Sequence, residues 1–365
     1  MASINFKHTP FGDLALISMR GCEDIASQVD YYLKQWRSIP DDESFVVPAN
    51  CPRFGTGEAK AVLKHTARGL DAYIICDCFN YSVTYKMYGQ TVPMSPDDHY
   101  QDLKRIIAAL GGKARRITVI MPMLYEGRQH RRTTRESMDC AMALQELVAM
   151  GVKNIVTFDA HDPRVNNAIP LDGFDNVQAA YQMIKALLKT VPDIKLNRDH
   201  TMIVSPDEGG MGRCIYYSSV LGLDLGMFYK RRNYSVVVNG RNPIEAHEFL
   251  GNDITGKDLI LVDDMISSGE SMLDIAAKLK EKGAGRIFIF STFGLFVEGF
   301  EKFDQYYADG KIDKIFTTNL IYQPQELLDR EWYCSVNMSK YIALLVETLN
   351  YDNSISSLLD PVDRI

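Results

Sequence analysis

Leu259-Ile260-Leu261-Val262-Asp263-Asp264-Met265-Ile266-Ser267-Ser268-Gly269-Glu270-Ser271 reads as a strand, a small-residue loop and the start of a helix. Four apolar residues end in two adjacent carboxylates. Met272, Ile275, Ala276 and Leu279 then share one face at helical spacing, and Gly283 stands where a C-terminal cap belongs. A strand, a loop of small residues and a helix N-terminus make a phosphate site, because backbone N–H groups point outward and the helix dipole favours an anion. Two acids beside that phosphate suit the neighbouring hydroxyls of a sugar, or a metal ion bridging them. The stretch therefore predicts a phosphorylated sugar bound in a βα loop.

Working outward, strand and helix patterns alternate from about residue 70 to residue 322. Strands are expected near 72–76, 116–121, 154–158, 202–205, 225–229, 259–262, 286–291 and 314–317. Helices are expected near 100–110, 137–150, 177–190 and 212–221. Several strands are unbroken apolar runs, as in parallel strands buried on both faces. This alternation indicates an α/β protein with doubly wound, mostly parallel sheets. The first 50 residues are less regular.

The residues just past the strands share one kind of chemistry. Arg128-Gln129-His130-Arg131-Arg132 follows 116–121, and Asp159 and His161 follow 154–158. Asp207, Gly209 and Gly210 follow 202–205, and Lys230-Arg231-Arg232 follows 225–229. In open α/β sheets ligands bind outside the carboxyl ends of the strands. Clustered Arg with Gln129 suits bidentate phosphate contacts and a polar base-edge contact. His161, between Asp159 and Asp162, suits a metal or a phosphate. The polar stretch from Asn233 to Glu248 reads as a mobile loop that carries cations over a polyphosphate.

Composition narrows the function. The chain has 365 residues, enough for two domains with real cores, and it is 46% hydrophobic and 24% charged. A net charge of −7 argues against a nucleic-acid partner. No apolar run is long enough to span a bilayer, and no secretory leader is visible. The seven cysteines include no CxxC pair and read as reduced thiols of a cytoplasmic protein.

Together these motifs resemble the ribose-phosphate pyrophosphokinase (phosphoribosyl diphosphate, PRPP, synthetase) family, from about Arg53 onward. The loop 263–271 resembles its DDMIDTGGT segment, Val204–Gly210 its VSPDxGG, and Tyr229–Arg232 its KRR. Arg128–Arg132 resembles RQDRR, Phe158–His161 the DLH segment, and Arg53–Glu58 RFSDGE. The resemblance implies two phosphoribosyltransferase-type domains, 1–175 for ATP and 176–337 for ribose 5-phosphate. A helix at about 338–352 would pack back on the first. It implies transfer of the diphosphate of ATP to ribose 5-phosphate, with Mg²⁺ as cofactor, in a homo-oligomer from dimer to hexamer.

By position, Arg128, Gln129 and His130 would hold ATP, with Phe54 and Glu58 presented by a neighbouring subunit. His161 and Asp207 would contact the metal. Asp263 and Asp264 would hold the ribose hydroxyls, and Ser267, Ser268, Gly269, Glu270 and Ser271 the 5-phosphate. Lys230 and Arg232 would stabilise the transferred group.

This chain departs from the pattern at several places, among them Ser268 and Ser271, which replace Thr and keep a hydroxyl. His130 and Thr56 each stand where the family has Asp, Ser267 replaces another Asp, and Glu270 replaces a Gly. A carboxylate facing a phosphate would repel it, so the Glu270 side chain is expected to turn away while its N–H binds. Two alternatives share the loop: a phosphoribosyltransferase that consumes PRPP, and a catalytically silent regulatory paralogue. No general base is evident.

Overall fold

The computed structural model describes residues 9–232 and 244–359, which form two compact units. Unit one comprises residues up to 178 together with 319–322 and 337–360; unit two comprises 179–318 and 323–336.

The sheet of unit one has five strands in the order Asp13–Ser18, Leu70–Ile75, Arg116–Ile120, Asn154–Phe158, Gly173–Val177. All four pairings are parallel. The central strands are buried along most of their length, which explains their mostly apolar sequences. Two strands were not foreseen. Asp13–Ser18 lies in the irregular N-terminal stretch, and Gly173–Val177 is an edge strand with a poor β-former at its start. The helix Pro96–Leu110 opens four residues before the expected start. Ser95 accepts the Asp98 N–H at 3.2 Å, and the Asp98 carboxylate accepts the Ser95 N–H at 3.0 Å, a capping box with Pro96 at the first helical position.

The helix Ser339–Asn350 packs on Glu23–Arg37 within the same unit. Asn350, fully buried, donates to Asp71 at 2.8 Å and to the Gly12 carbonyl at 3.1 Å. Arg116 closes the cluster with a 2.7 Å ion pair to Asp71 and a 2.7 Å bond to the Leu349 carbonyl.

Unit two carries seven strands in the order Ile244–Leu250, Asp224–Arg232, Thr201–Ser205, Asp258–Ile266, Ile287–Gly294, Lys314–Thr318, Tyr333–Val336. The chain runs outward from Thr201–Ser205 on one side and then crosses to Asp258–Ile266 on the other. The order therefore reverses between these two strands, and such a switch point opens a crevice at their carboxyl ends. All pairings are parallel except Asp224–Arg232 with Ile244–Leu250. This corrects the expectation of a loop through Glu248. Residues 244–250 are an antiparallel edge strand, with Lys230 opposite His247 and Arg232 opposite Ile244. The rest of the expected loop, 233–243, lies outside the described residues. No described helix is long and apolar enough to cross a membrane.

Candidate active site

The quoted stretch forms the strand Asp258–Ile266, a turn at 267–269 and the helix Glu270–Glu281. Gly269 makes the turn possible. Its φ is +80°, and a Cβ there would lie 2.1 Å from Phe303 Cζ. Phe303 is fully buried, stacks on Trp332 with centroids 5.5 Å apart and meets Phe296 edge-on at 5.0 Å. The loop thus rests on an aromatic floor that only a glycine can approach.

The first N–H groups of the helix that follows have no intrahelical acceptor and face outward with the positive end of the dipole. Glu270 opens the helix. The side chain is exposed and lies 3.6 Å from Lys302 Nζ, and its charge raises the Lys302 pKa. At the other end of the helix, Gly283 has φ +87°. The Gly283 and Ala284 N–H groups bond back to Lys280 and Leu279 at 2.9 and 3.1 Å, which closes the helix.

Asp264 is buried, and its N–H donates to Asp263 Oδ1 at 2.9 Å. Burial, and then the adjoining Asp264 carboxylate, push the Asp263 pKa well above the usual carboxylate range. Arg213 opposes this from 3.7 Å, with its side chain 10% exposed. Sequence reading passed over Arg213. The available signal was a cation in the first turn of the helix Met211–Leu221, where the helix dipole disfavours it.

On the neighbouring strand exit, Asp207 Oδ1 accepts the N–H groups of Gly209 and Gly210 at 2.9 and 3.2 Å. Ser205 Oγ donates to the Asp207 carbonyl at 2.7 Å. Lys230 and Arg232 lie on the strand Asp224–Arg232, and this placement is by backbone.

In unit one, the exits of two adjacent strands bring the other candidates together. Gln129 Nε2 donates to the Ser137 carbonyl at 2.9 Å, and the Gln129 N–H donates to the Glu126 carbonyl at 2.8 Å. The side chains of Arg128, Arg131 and Arg132 reach solvent. His130 and His161 have ring centroids 5.3 Å apart. Asp159, buried at the strand exit, has φ +42°, and the Ala160 N–H donates to Asn176 Oδ1 at 2.9 Å. That is a strained backbone for a non-glycine residue, a condition that clusters at functional sites. Among the described residues, no group of three or more His, Cys, Asp or Glu forms a metal cluster.

The turn at 53–58 is pinned by Arg53, which pairs with Asp102 at 2.8 Å and lies over the Tyr85 ring at 4.6 Å. It presents Phe54 at 55% exposure, too open for a core residue. Thr56 Oγ1 donates to Glu58 Oε2 at 2.8 Å, so the threonine that replaces an aspartate orients the glutamate.

Two family models match in chain order. The "N-terminal domain of ribose phosphate pyrophosphokinase" covers residues 14–151, and the "phosphoribosyl synthetase-associated domain" covers 237–360. The ribose-phosphate pyrophosphokinase of Vibrio cholerae is 26% identical over 321 residues, 86% of this chain and 91% of that one. The Shewanella oneidensis protein of the same name is 27% identical over 310 residues, 84% and 89% of the two chains. The crystal structure of phosphoribosylpyrophosphate synthetase from Mycobacterium smegmatis superposes with a TM-score of 0.74. It is 20% identical and covers 93% of this chain and all of that one, a likeness of fold.

Proposed function

The chain belongs to the ribose-phosphate pyrophosphokinase family, and we propose that it transfers the β,γ-diphosphate of ATP to ribose 5-phosphate, giving PRPP and AMP. The observation that carries this reading is the loop 263–271. Its backbone is shaped for an anion, two acids stand beside it, and the carboxylate that could have repelled a phosphate is turned to Lys302.

In this reading the helix N-terminus at Glu270 and the hydroxyls of Ser267, Ser268 and Ser271 take the 5-phosphate. Asp263 and Asp264 take the ribose hydroxyls. Arg128, Gln129 and His130 take ATP, with Phe54 and Glu58 from a neighbouring copy in a homo-oligomer of the cytoplasm. The anomeric oxygen attacks the β-phosphorus, the bond from that phosphorus to the α–β bridging oxygen breaks, and AMP leaves with that oxygen. Lys230 and Arg232 stabilise charge on the group in transit. Such transfers depend on positioning and electrostatics.

Mg²⁺ takes oxygen ligands and shares substrate phosphates, and the Asp207 carboxylate, fixed by two backbone N–H groups, suits it. His161 is the other residue that the resemblance implies for the metal. When bound, the ion supplies neutralisation of phosphate charge.

The test is a coupled assay with ribose 5-phosphate and Mg·ATP, without any nucleobase. AMP and PRPP should form in equal amounts. Product only when a nucleobase and PRPP are supplied would assign the loop to a phosphoribosyltransferase instead.

A further inference from the structure

The turn at 53–58 does not stand alone. The hairpin of Thr84–Met87 and Gln90–Pro93 packs against it within unit one. The Tyr88 N–H donates to the Gly55 carbonyl at 2.8 Å. A Cβ at Gly57, where φ is +94°, would lie 3.1 Å from Met87 Sδ and 3.5 Å from Tyr85 Cε2. The two tips are therefore held side by side. Each carries an exposed aromatic residue, Phe54 on one and Tyr88, 79% exposed, on the other.

Tyr88 suits its own position poorly. Met87 pairs with Gln90, so Tyr88 and Gly89 are the two central residues of the hairpin turn, with φ +49° and +80°. Positive φ at both is the type I′ form, which Asn or Asp followed by Gly adopts with least strain. A larger side chain makes the left-handed backbone costly. Nothing inside the protein offsets that cost, since among the described residues the Tyr88 side chain makes no hydrogen bond, ion pair or ring contact. An open aromatic ring held on strained backbone points to a contact outside the chain.

The neighbouring residues say what that contact is. Phe54 offers an aromatic face, and Glu58 offers a carboxylate oriented by Thr56. A carboxylate repels phosphate and accepts from an N–H donor. An aromatic surface beside such an acceptor suits a planar heterocycle that bears an amine, because bases stack on aromatic side chains. We propose that Tyr88 is a second base-contacting residue, whose ring, beside that of Phe54, stacks on the nucleobase of the ATP held by a neighbouring copy. Tyr85 and Met87 are positioning residues that keep the turn at 53–58 against the hairpin. The inference rests on the proposed function for the nucleotide and for the copy that holds it.

The test uses the full chain with Mg²⁺, without ribose 5-phosphate, and two probes in titration calorimetry. One is α,β-methylene-ATP, which cannot transfer its diphosphate; the other is inorganic tripolyphosphate, which has no base. Tyr88→Asn should weaken α,β-methylene-ATP roughly 5–50-fold and leave tripolyphosphate unchanged, because only the base meets the ring. Its melting temperature should rise, because Asn-Gly suits the turn. Tyr88→Phe should bind both probes like the wild type. Equal affinity for α,β-methylene-ATP in wild type and Tyr88→Asn overturns the proposal. So does an equal loss for both probes with a lower melting temperature, the mark of a structural role. Sedimentation covers the remaining case: if Tyr88→Asn dissociates the assembly and its lost affinity returns at higher protein concentration, Tyr88 is a contact between copies and the proposal falls. A wild type that binds no α,β-methylene-ATP overturns both this inference and the proposed function. Binding that depends on Tyr88, with no AMP or PRPP in the coupled assay, supports this inference and overturns only the proposed function.

Discussion

The loop at 263–271 and the loop at 128–137 both follow parallel strands, but they hold their shapes by different means. The first is made by backbone. Gly269 sits on Phe303, the Leu273 N–H closes on the Gly269 carbonyl at 2.9 Å, and the Val297 N–H reaches the Ser267 carbonyl at 3.0 Å. The second is tied by side chains, with Gln129 bridging to Ser137 and Thr133 N–H meeting Glu136 at 3.2 Å, while three arginines stand in solvent. Backbone N–H groups already in place bind an anion without further ordering. Each free arginine must give up about 1–2 kcal/mol of rotamer freedom when it closes on a phosphate. Under the proposed function, affinity for the sugar phosphate would be preformed, whereas affinity for the polyphosphate would depend on ordering at the moment of binding.

Four substitutions would break or sharpen this contrast. Lys230→Ala should have the largest effect, because under the proposed function it removes a cation from the group in transit. Turnover is expected to fall on the order of 10²–10³ with the melting temperature unchanged; wild-type turnover would remove Lys230 from the mechanism. Gly269→Ala should come next. A methyl group driven into Phe303 at positive φ should cost about 2–4 kcal/mol of stability. Denaturant melts check this, and the KM for ribose 5-phosphate should rise far more than that for ATP.

Gln129→Ala attacks the side-chain loop. Loss of its bond to Ser137 should cost about 1 kcal/mol and raise the KM for ATP several-fold, with ribose 5-phosphate unaffected. An equal change in both constants would erase the distinction between the loops. Glu270→Gln should do least. Its pair with Lys302 is exposed, so stability should move within about 0.5 kcal/mol. A large drop in the KM for ribose 5-phosphate would show that the carboxylate does face the phosphate.

Much of the fold was readable because its central strands are mostly apolar runs between helical patterns. What escaped had a physical reason in each case. The helix Glu23–Arg37 buries Asp30, which accepts the Phe45 N–H at 2.8 Å, and exposes Tyr31 and Trp36, so its apolar stripe is blurred. The edge strands Gly173–Val177 and Tyr333–Val336 are short and half-covered. Residues 244–250 looked like loop because Glu245, His247 and Glu248 interrupt the apolar pattern of the sequence, as is common on an edge strand.

At the site, motif spacing located the strand-exit residues, since each motif is local. Partners distant in sequence stayed hidden. Nothing near Glu270 announces Lys302, and nothing near Asp263 announces Arg213. The contact between His130 and His161 likewise depends on two strands being neighbours.

The stitching of Ser339–Asn350 onto unit one has a consequence for synthesis. Asn350 bonds to Gly12 across 338 positions, and Arg37 meets Glu347 across 310. Between them, in chain order, lie all the strands of unit two. On a ribosome, unit two can therefore finish before the earlier one, whose Asp71 and Arg116 wait for a helix not yet made. Contacts of such long range are slow to close. A nascent chain interrupted after residue 336 would carry a finished 263–271 loop and an incompletely folded first unit, which would be the part exposed to chaperones and proteases.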